Sequence, residues 1–175
     1  MAENVLLIGM MGSGKTTVGE ALARRLDRPF HDSDAEVLAR TGLSVPELFA
    51  ARGEPAFRGE EKAVLAMALT SGPPAVIAVA GGAVLDPDSR RRMRQGGVVI
   101  WLRGRLDTLA QRVGRGEGRP LLESDPAGTL ARLYRARRPL YASLADGVVE
   151  VDHLPASLVA ERAARLARHL LGERT

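Results

Sequence analysis

The sequence predicts an α/β fold of three layers, α/β/α, with a five-stranded and mainly parallel sheet. Short apolar runs alternate with helix-length segments along the chain, which is the pattern of a parallel sheet covered by helices on both faces. A length of 175 residues fits one domain of ordinary size, so we expect a single domain over residues 1–175. The strands are predicted at residues 5–8, 29–32, 75–80, 98–102 and 148–151.

Charge and composition narrow the classes of partner. The net charge is +4, but aromatic residues make up only 3% of the chain and the arginines are scattered, so we expect no nucleic-acid partner. The densest basic cluster, at residues 90–94, is interpreted as the solvated end of a helix. No apolar stretch reaches the roughly 20 residues of a membrane-spanning helix. With no signal-peptide pattern and no cysteine, we expect a cytoplasmic monomer without a membrane partner.

The predicted first strand runs into the pattern Gly9-x-x-x-x-Gly14-Lys15-Thr16, the spacing of a phosphate-binding loop between a strand and a helix. Backbone N–H groups at such a helix start point toward an anion, and the helix dipole favours negative charge there. Lys15 can reach the β- and γ-phosphates, and Thr16 offers a hydroxyl to Mg²⁺. The pattern therefore predicts a fold of the P-loop NTPase type. The predicted ATP-binding residues of the loop are Gly12, Ser13, Gly14, Lys15, Thr16 and Thr17.

Two carboxylates follow the second predicted strand, in the sequence PFHDSDAE. Side chains two residues apart in an extended segment face the same way, so we expect Asp32 and Asp34 to project together from the edge where α/β sheets bind ligands. The later strands do not end in the acid that commonly completes a Mg²⁺ shell, so one of these carboxylates can serve the metal and the other an acceptor hydroxyl. A plain capping role stays open, because Ser33 and Glu36 also fit a capping box.

Local chemistry marks two further helix starts and one loop. Ser44 is followed three residues later by Glu47, and Asp125 precedes Pro126 at a first helical position. The segment GRGEGRPLLESDPAG, residues 114–128, is rich in glycine and proline and breaks any helical period. We expect this segment to be a mobile lid.

An ordered set of four more stretches follows the phosphate loop and DSD: GLSVPELFAARGEPAFRGEE, AGGAVL, GRPLL and RRPLY. Together these motifs resemble shikimate kinase, a family of small-metabolite kinases, over residues 5–146. The resemblance implies transfer of the γ-phosphoryl group of ATP, with Mg²⁺, to the 3-hydroxyl of shikimate, and an acceptor-binding region at about residues 33–61. A gluconate-type kinase and a non-catalytic nucleotide- or RNA-binding module are the alternatives.

The resemblance also assigns roles to four arginines. Arg58, with Glu61 as its orienting partner, and Arg137 match arginines that bind the shikimate carboxylate. A planar guanidinium can bind a carboxylate through two hydrogen bonds, which lysine cannot. Arg119 resembles the lid arginine that closes over the reacting phosphate, and Arg112 resembles the residue that stacks on adenine.

The same resemblance separates the roles of the two carboxylates. Asp34 matches the acid that contacts the acceptor hydroxyl, whereas Asp32 matches the one near Mg²⁺, beside Thr16. The predicted catalytic residues are Lys15, Asp34 and Arg119.

Two features of the acceptor region are a departure from the family's glycines and a pair of phenylalanines. The family has three consecutive glycines after the third strand, and the first is Ala80 here. We expect Ala80 to adopt an ordinary backbone conformation, so that the close approach to substrate rests on Gly81 and Gly82. Phe49 and Phe57 flank the acceptor region, and pocket wall and core packing are equally open roles for them.

Overall fold

The sheet has the five predicted strands, in the spatial order β2-β3-β1-β4-β5, and every neighbouring pair is parallel. The computed structural model describes residues 3–114 and 125–172. The third strand is shorter than predicted, because the chain leaves the sheet to form the turn that leads to a short 3₁₀ helix, Ala83–Leu85. The strands are β1 (Asn4–Ile8), β2 (Phe30–Asp32), β3 (Val76–Ala78), β4 (Gly97–Arg103) and β5 (Gly147–Glu150).

Seven α-helices lie within the described residues, and none of these helices is long and apolar enough to cross a membrane. Both predicted helix starts are present: Ser44 forms a capping box with Glu47, and Asp125 caps the helix that begins at Pro126. Of the predicted lid, residues 114–128, the part at 115–124 lies outside the described residues. Residues 126–128 belong to the helix that begins at Pro126, so the prediction that the loop extends to residue 128 is wrong. The helices are α1 (Lys15–Leu26), α2 (Ser33–Thr41), α3 (Val45–Thr70), α4 (Pro87–Gly96), α5 (Leu106–Val113), α6 (Pro126–Leu144) and α7 (Ala156–Leu170).

The residues of β1 alternate between two hydrophobic cores, because successive side chains of a strand point to opposite faces of the sheet. Val5 and Leu7 share a core with side chains of α1 and α7, whereas Leu6 and Ile8 share the other with side chains of α3, α4 and α6. All four are buried. Each such side chain stabilises the fold by roughly 1.5–3 kcal/mol, which explains why β1 reads as a continuous apolar run.

A third, smaller hydrophobic cluster forms between α2 and α3. It contains Val37, Leu48, Phe57 and Val64, with Phe49 packed against it. The helix α3 is broken within this region at Gly53, whose φ of 78° and ψ of 173° lie outside the helical range. This cluster holds the predicted acceptor-binding region beside the sheet.

The carboxyl ends of β1, β2 and β3 lie side by side, because these strands are parallel neighbours. The phosphate-loop sequence follows β1, Asp32 ends β2, and residues 80–82 follow β3. Three of the predicted site segments are therefore brought to one edge of the sheet, where parallel sheets bind ligands.

Candidate active site

The phosphate loop joins β1 to α1 along a path that excludes side chains at two of its glycines. Gly9 and Gly12 have positive φ angles of 150° and 83°. A Cβ on Gly9 would lie 2.7 Å from the carbonyl oxygen of Leu102, and one on Gly12 would lie 2.9 Å from that of Leu109. Glycine is thus required at both positions by close backbone approach as well as by conformation.

The helix α1 starts at this loop without a side-chain cap. Its N-cap is Gly14, and its first turn holds no acidic residue. The first N–H groups of the helix, together with its dipole, therefore favour a bound anion. The ammonium of Lys15 lies over the loop, since its Nζ donates to the carbonyl oxygens of Gly9 at 2.7 Å and Met10 at 3.1 Å.

Thr16 and Asp32 form the pair predicted for the metal. Thr16 Oγ1 donates to Asp32 Oδ2 at 2.6 Å. A hydroxyl and a carboxylate are oxygen ligands of the kind Mg²⁺ prefers, and Mg²⁺ in nucleotide sites takes few protein ligands beside phosphates and water. Within the described part of the chain, no three acidic or histidine side chains cluster in a way that could hold a metal alone. The residues present therefore fit a magnesium ion held mainly by a nucleotide.

The turn after β2 differs from the predicted geometry. The chain enters α2 at once, so Asp34 lies in a helical first turn, and the prediction that it shares an extended face with Asp32 is wrong. The N-cap is Asp32, whose Oδ1 accepts from the backbone N–H groups of Asp34 at 3.0 Å and Ala35 at 3.2 Å, and a capping box from Ser33 is not formed. Both carboxylates nevertheless line the same cavity.

That cavity, of about 450 Å³, connects the phosphate loop with the acceptor region. Its volume suits a small molecule. Ser13 does not line it; its side chain is buried, and Oγ has no hydrogen-bond partner among the residues described. The predicted nucleotide residues that do line the cavity are Gly12, Gly14, Lys15, Thr16, Thr17 and Arg112.

Arg58 reaches the cavity from α3, held between two carboxylates. Its Nη1 lies 3.0 Å from Oε1 of Glu61, and its Nη2 lies 3.1 Å from Oε1 of Glu54. The guanidinium also lies 5.3 Å from the centre of the Phe57 ring. Glu54 was missed in the sequence, although its spacing of four residues from Arg58 on one helix was an available signal. Two anchors fix the direction of one guanidinium before any ligand binds.

Gly82 leaves the space that Arg58 occupies. A Cβ at this position would overlap the guanidinium group, while the φ of Gly82 is an ordinary −86°. The glycine is therefore needed for space and not for conformation. Ala80 is absent from the described residues with positive φ, which confirms the expectation that alanine fits there without strain.

Arg137 enters the same cavity from α6 and is only 2% exposed. Its Nε has no hydrogen-bond partner in the described part of the protein. Burial raises the pKa of the Glu61 carboxyl, and the charges of Arg58 and Arg137 oppose that shift. A buried guanidinium with an unpaired N–H is unfavourable without a hydrogen-bond acceptor or an opposite charge, so Arg137 is suited to an anionic group in this cavity.

Phe49 and Phe57 serve both of the roles left open for them. Their ring centres are 4.9 Å apart, and both rings line the cavity while packing with the cluster between α2 and α3. The acceptor end of the cavity therefore combines apolar ring surface with two cations.

Arg112 lies beside the phosphate loop. Its Nη2 donates to the carbonyl oxygen of Val151 at 2.9 Å, and its Nη1 lies 3.5 Å from that of Gly12. The side chain thus borders the nucleotide end of the cavity. Arg119, the predicted lid arginine, lies outside the described residues.

An all-parallel sheet with a phosphate loop after β1, and a cavity that joins this loop to two arginines, defines a P-loop kinase that acts on a small anionic molecule. Residues 11–168 match the family model described as shikimate kinase. The chain belongs to the shikimate kinase family.

Individual relatives agree with this assignment. A shikimate kinase of Burkholderia thailandensis is 47% identical over 148 residues, covering 84% of this chain and 80% of that protein. A shikimate kinase of Pseudomonas syringae pv. tomato is 43% identical over 166 residues, covering 94% and 96%. The solved structure of shikimate kinase from Acinetobacter baumannii in complex with shikimate has a TM-score of 0.90 at 36% identity, covering 95% of this chain and 93% of that one.

A gluconokinase from Sinorhizobium meliloti has a TM-score of 0.59 at 22% identity, covering 99% of this chain and 98% of that one. At this level of identity, the similarity shows only that the two proteins share a fold.

Proposed function

We propose that the protein transfers the γ-phosphoryl group of ATP to the 3-hydroxyl of shikimate, giving shikimate 3-phosphate and ADP. The observation that carries this proposal is the convergence of Arg58 and Arg137 on the cavity that the phosphate loop also lines. A phosphoryl donor and a carboxylic acid can therefore meet in one cavity. Membership of the shikimate kinase family supports the same acceptor.

Arg58 and Arg137 bind the carboxylate of shikimate in this proposal. Glu54 and Glu61 hold Arg58 in position, so little side-chain entropy is lost when the acid binds. The rings of Phe49 and Phe57 contact the apolar part of the acceptor ring. These contacts orient the acid so that its 3-hydroxyl points toward Asp34, which aligns this hydroxyl and accepts its proton.

The nucleotide binds at the opposite end of the cavity. The N–H groups at the start of α1 hold the β-phosphate, and Lys15 neutralises charge on the transferring group. Thr16 and Asp32 are the residues that would hold Mg²⁺, and the bound ion supplies further positive charge to the phosphates. Catalysis then consists of positioning and charge stabilisation, because phosphoryl transfer leaves little covalent work for the protein.

Two arginines complete the proposed ATP site. Arg112 stacks on the adenine, in keeping with its position beside the phosphate loop. Arg119 closes over the reacting phosphate from the predicted lid, and closure excludes water as a competing acceptor. The single-domain organisation stays a prediction, as do a cytoplasmic location, a monomeric state and the lack of nucleic-acid and membrane partners.

An assay of ADP release tests the proposed function directly. The protein is incubated with ATP and Mg²⁺ and with shikimate, gluconate, a nucleoside monophosphate or no acceptor. We expect ADP release only with shikimate, with shikimate 3-phosphate as the second product. Release with gluconate would instead support a gluconate-type kinase. Binding of nucleotide without acceptor-dependent release would support a non-catalytic module.

A further inference from the structure

Tyr141 is the feature of the core that the proposed mechanism leaves unused. It lies on α6 and is only 1% exposed, with its ring centre 5.8 Å from that of Trp101. Its hydroxyl donates to the carbonyl oxygen of Gly81 at 2.7 Å. The ring packs in an apolar core while the hydroxyl lies at its border, beside the buried guanidinium of Arg137. Phenylalanine would fill almost the same volume.

The hydroxyl of Tyr141 does more than fill space, because the carbonyl that accepts its hydrogen bond lies beside the cavity. Gly81 belongs to the turn after β3 and lines the cavity, so its carbonyl is not part of a helix or strand ladder. The backbone bonds of this turn, from Ala83 N–H to the carbonyl oxygen of Ala80 at 3.1 Å and from Leu85 N–H to that of Gly82 at 3.0 Å, do not use the carbonyl of Gly81. The bond from Tyr141 links the turn to α6, which lies sixty residues further along the chain.

The same turn touches the buried arginine of α6. Arg137 and Tyr141 are four residues apart and lie on one face of the helix. A Cβ on Gly81 would lie 3.1 Å from Arg137 Nη1 and 3.5 Å from Tyr141 Oη. An added methyl group at Gly81 would therefore be in tight contact with the guanidinium and in ordinary contact with the phenol, so the three groups are closely packed.

The phenol remains a hydrogen-bond donor over the whole neutral range. Burial raises the pKa of Tyr141 to about 12, although the adjacent positive charge of Arg137 acts in the opposite direction. The hydroxyl proton needed for the bond to Gly81 is present at any pH where the enzyme would work.

We propose that Tyr141 is a positioning residue for the acceptor: its hydroxyl fixes the turn that contains Gly81 and Gly82, and through this turn it fixes the directions of Arg137 and Arg58. Gly82 is the neighbour of Gly81, and its surface is the one on which the Arg58 guanidinium lies. One hydroxyl thus acts on both carboxylate-binding arginines, because it also accepts a hydrogen bond from Arg137 directly. The inference rests on the proposed function, since it assumes an acid acceptor in this cavity.

The test removes the hydroxyl alone with Tyr141→Phe and measures both Michaelis constants. We expect KM for shikimate to rise about 5- to 10-fold, in the range for loss of a buried hydrogen bond, while KM for ATP changes less than twofold. Tyr134→Phe is the matched control, because it removes the other tyrosine hydroxyl from the same helix. An unchanged KM for shikimate in Tyr141→Phe, with or without a lower Tm, would overturn the inference.

A second measurement covers the case in which Tyr141→Phe does not fold. Both tyrosines of the otherwise unaltered protein are replaced biosynthetically with 3-fluorotyrosine, and Tyr134→Phe assigns the two ¹⁹F resonances. We expect the Tyr141 resonance to shift when shikimate is added. If the ¹⁹F resonance of Tyr141 does not move at saturating shikimate, the proposed positioning role of Tyr141 is overturned.

The two proposals fail in different ways. A wild-type protein without shikimate-dependent ADP release contradicts the proposed function itself. An active wild-type protein whose Tyr141→Phe variant keeps a normal KM for shikimate contradicts only the positioning role.

Discussion

The two ends of the cavity are built by opposite means. The nucleotide end is built mainly from one contiguous stretch of chain, in which glycines, an uncapped helix start and Lys15 follow one another within eight residues. The acceptor end is built from side chains on α3 and α6, with Arg58 and Arg137 brought together by the fold from positions far apart in the chain.

In the proposed function, the contrast follows from what each end of the cavity binds. Phosphates are alike in every nucleotide, so backbone N–H groups and one lysine suffice. A particular acid must be distinguished from others, which requires guanidinium groups with fixed directions. Fixing those directions requires supporting contacts from Glu54, Glu61 and Gly82. The acceptor end should therefore respond to small changes in support, whereas the nucleotide end should respond mainly to loss of its charge.

The largest expected effect is at the nucleotide end. Lys15→Met should lower kcat on the order of 10³-fold, because a preorganised charge is removed from the transferring phosphate. Steady-state turnover at saturating ATP and shikimate measures this effect. The chain offers a close control in Lys62, its only other lysine, which pairs with Asp86 and Asp88 on the protein surface. Lys62→Met should turn over at nearly the wild-type rate, and equal losses in both variants would contradict the role of Lys15.

Asp34→Asn should lower kcat roughly 10²-fold, as expected for loss of a positioned base. The substitution keeps the size of the side chain, so KM for ATP should change little. Turnover at saturating substrates, with circular dichroism to check that α2 remains folded, measures the effect. Near-normal turnover would remove Asp34 from the mechanism.

Arg58→Lys sharpens the comparison, because it keeps the charge and removes only the guanidinium geometry. We expect KM for shikimate to rise about 10-fold, as for loss of a charge-assisted hydrogen bond, with KM for ATP unchanged. Arg40→Lys is the control, since Arg40 lies on α2 and pairs with Glu60 outside the cavity. If Arg58→Lys behaves like Arg40→Lys, the carboxylate-binding role is wrong.

The smallest effect concerns the stability of the acceptor end. Burial raises the pKa of Glu61 above 4.5, so the folded protein binds this proton more tightly than the unfolded chain. The stabilising contribution of the protonated carboxyl is thus present below pH 4.5 and is lost as pH rises through the raised pKa. Glu61→Gln, which stays neutral, should have a higher free energy of unfolding than the wild type at pH 7.

Urea denaturation of both proteins at several pH values measures this difference. We expect it to shrink as pH falls toward 4.5, while KM for shikimate at pH 7 rises because Arg58 loses an anchor. Glu60→Gln, next to Glu61 but paired with Arg40, provides the control. A wild type that is the more stable protein at pH 7 would contradict the prediction.

The same contrast explains how far the sequence could predict the structure. The five strands and the phosphate loop depend on neighbouring residues, so apolar periodicity and spacing were sufficient for them. Arg58 and Arg137 could be singled out only through the resemblance to a family. The bond from Tyr141 to Gly81 and the fit of Arg58 against Gly82 had no local signal, because each joins segments more than twenty residues apart.

Asp32 was predicted as a metal ligand, with a plain capping role left open, and the structure shows that Asp32 itself is the N-cap of α2. The i, i+2 argument assumed that the strand continues through Asp34, but the helix begins at Ser33. The error concerned one turn of backbone, and the residues singled out still lie together at the cavity.

The two carboxylate oxygens of Asp32 accept hydrogen bonds from different elements: Oδ2 accepts from Thr16, and Oδ1 accepts from the first N–H groups of α2. One carboxylate thus contacts both Thr16 of the phosphate loop and the start of the helix that carries Asp34. Kinetic loss after substitution at position 32 cannot be attributed to one substrate, because the helix that carries Asp34 loses its cap in the same step. In addition to its proposed role in holding Mg²⁺, Asp32 therefore couples the position of Thr16 to that of the helix start that carries Asp34.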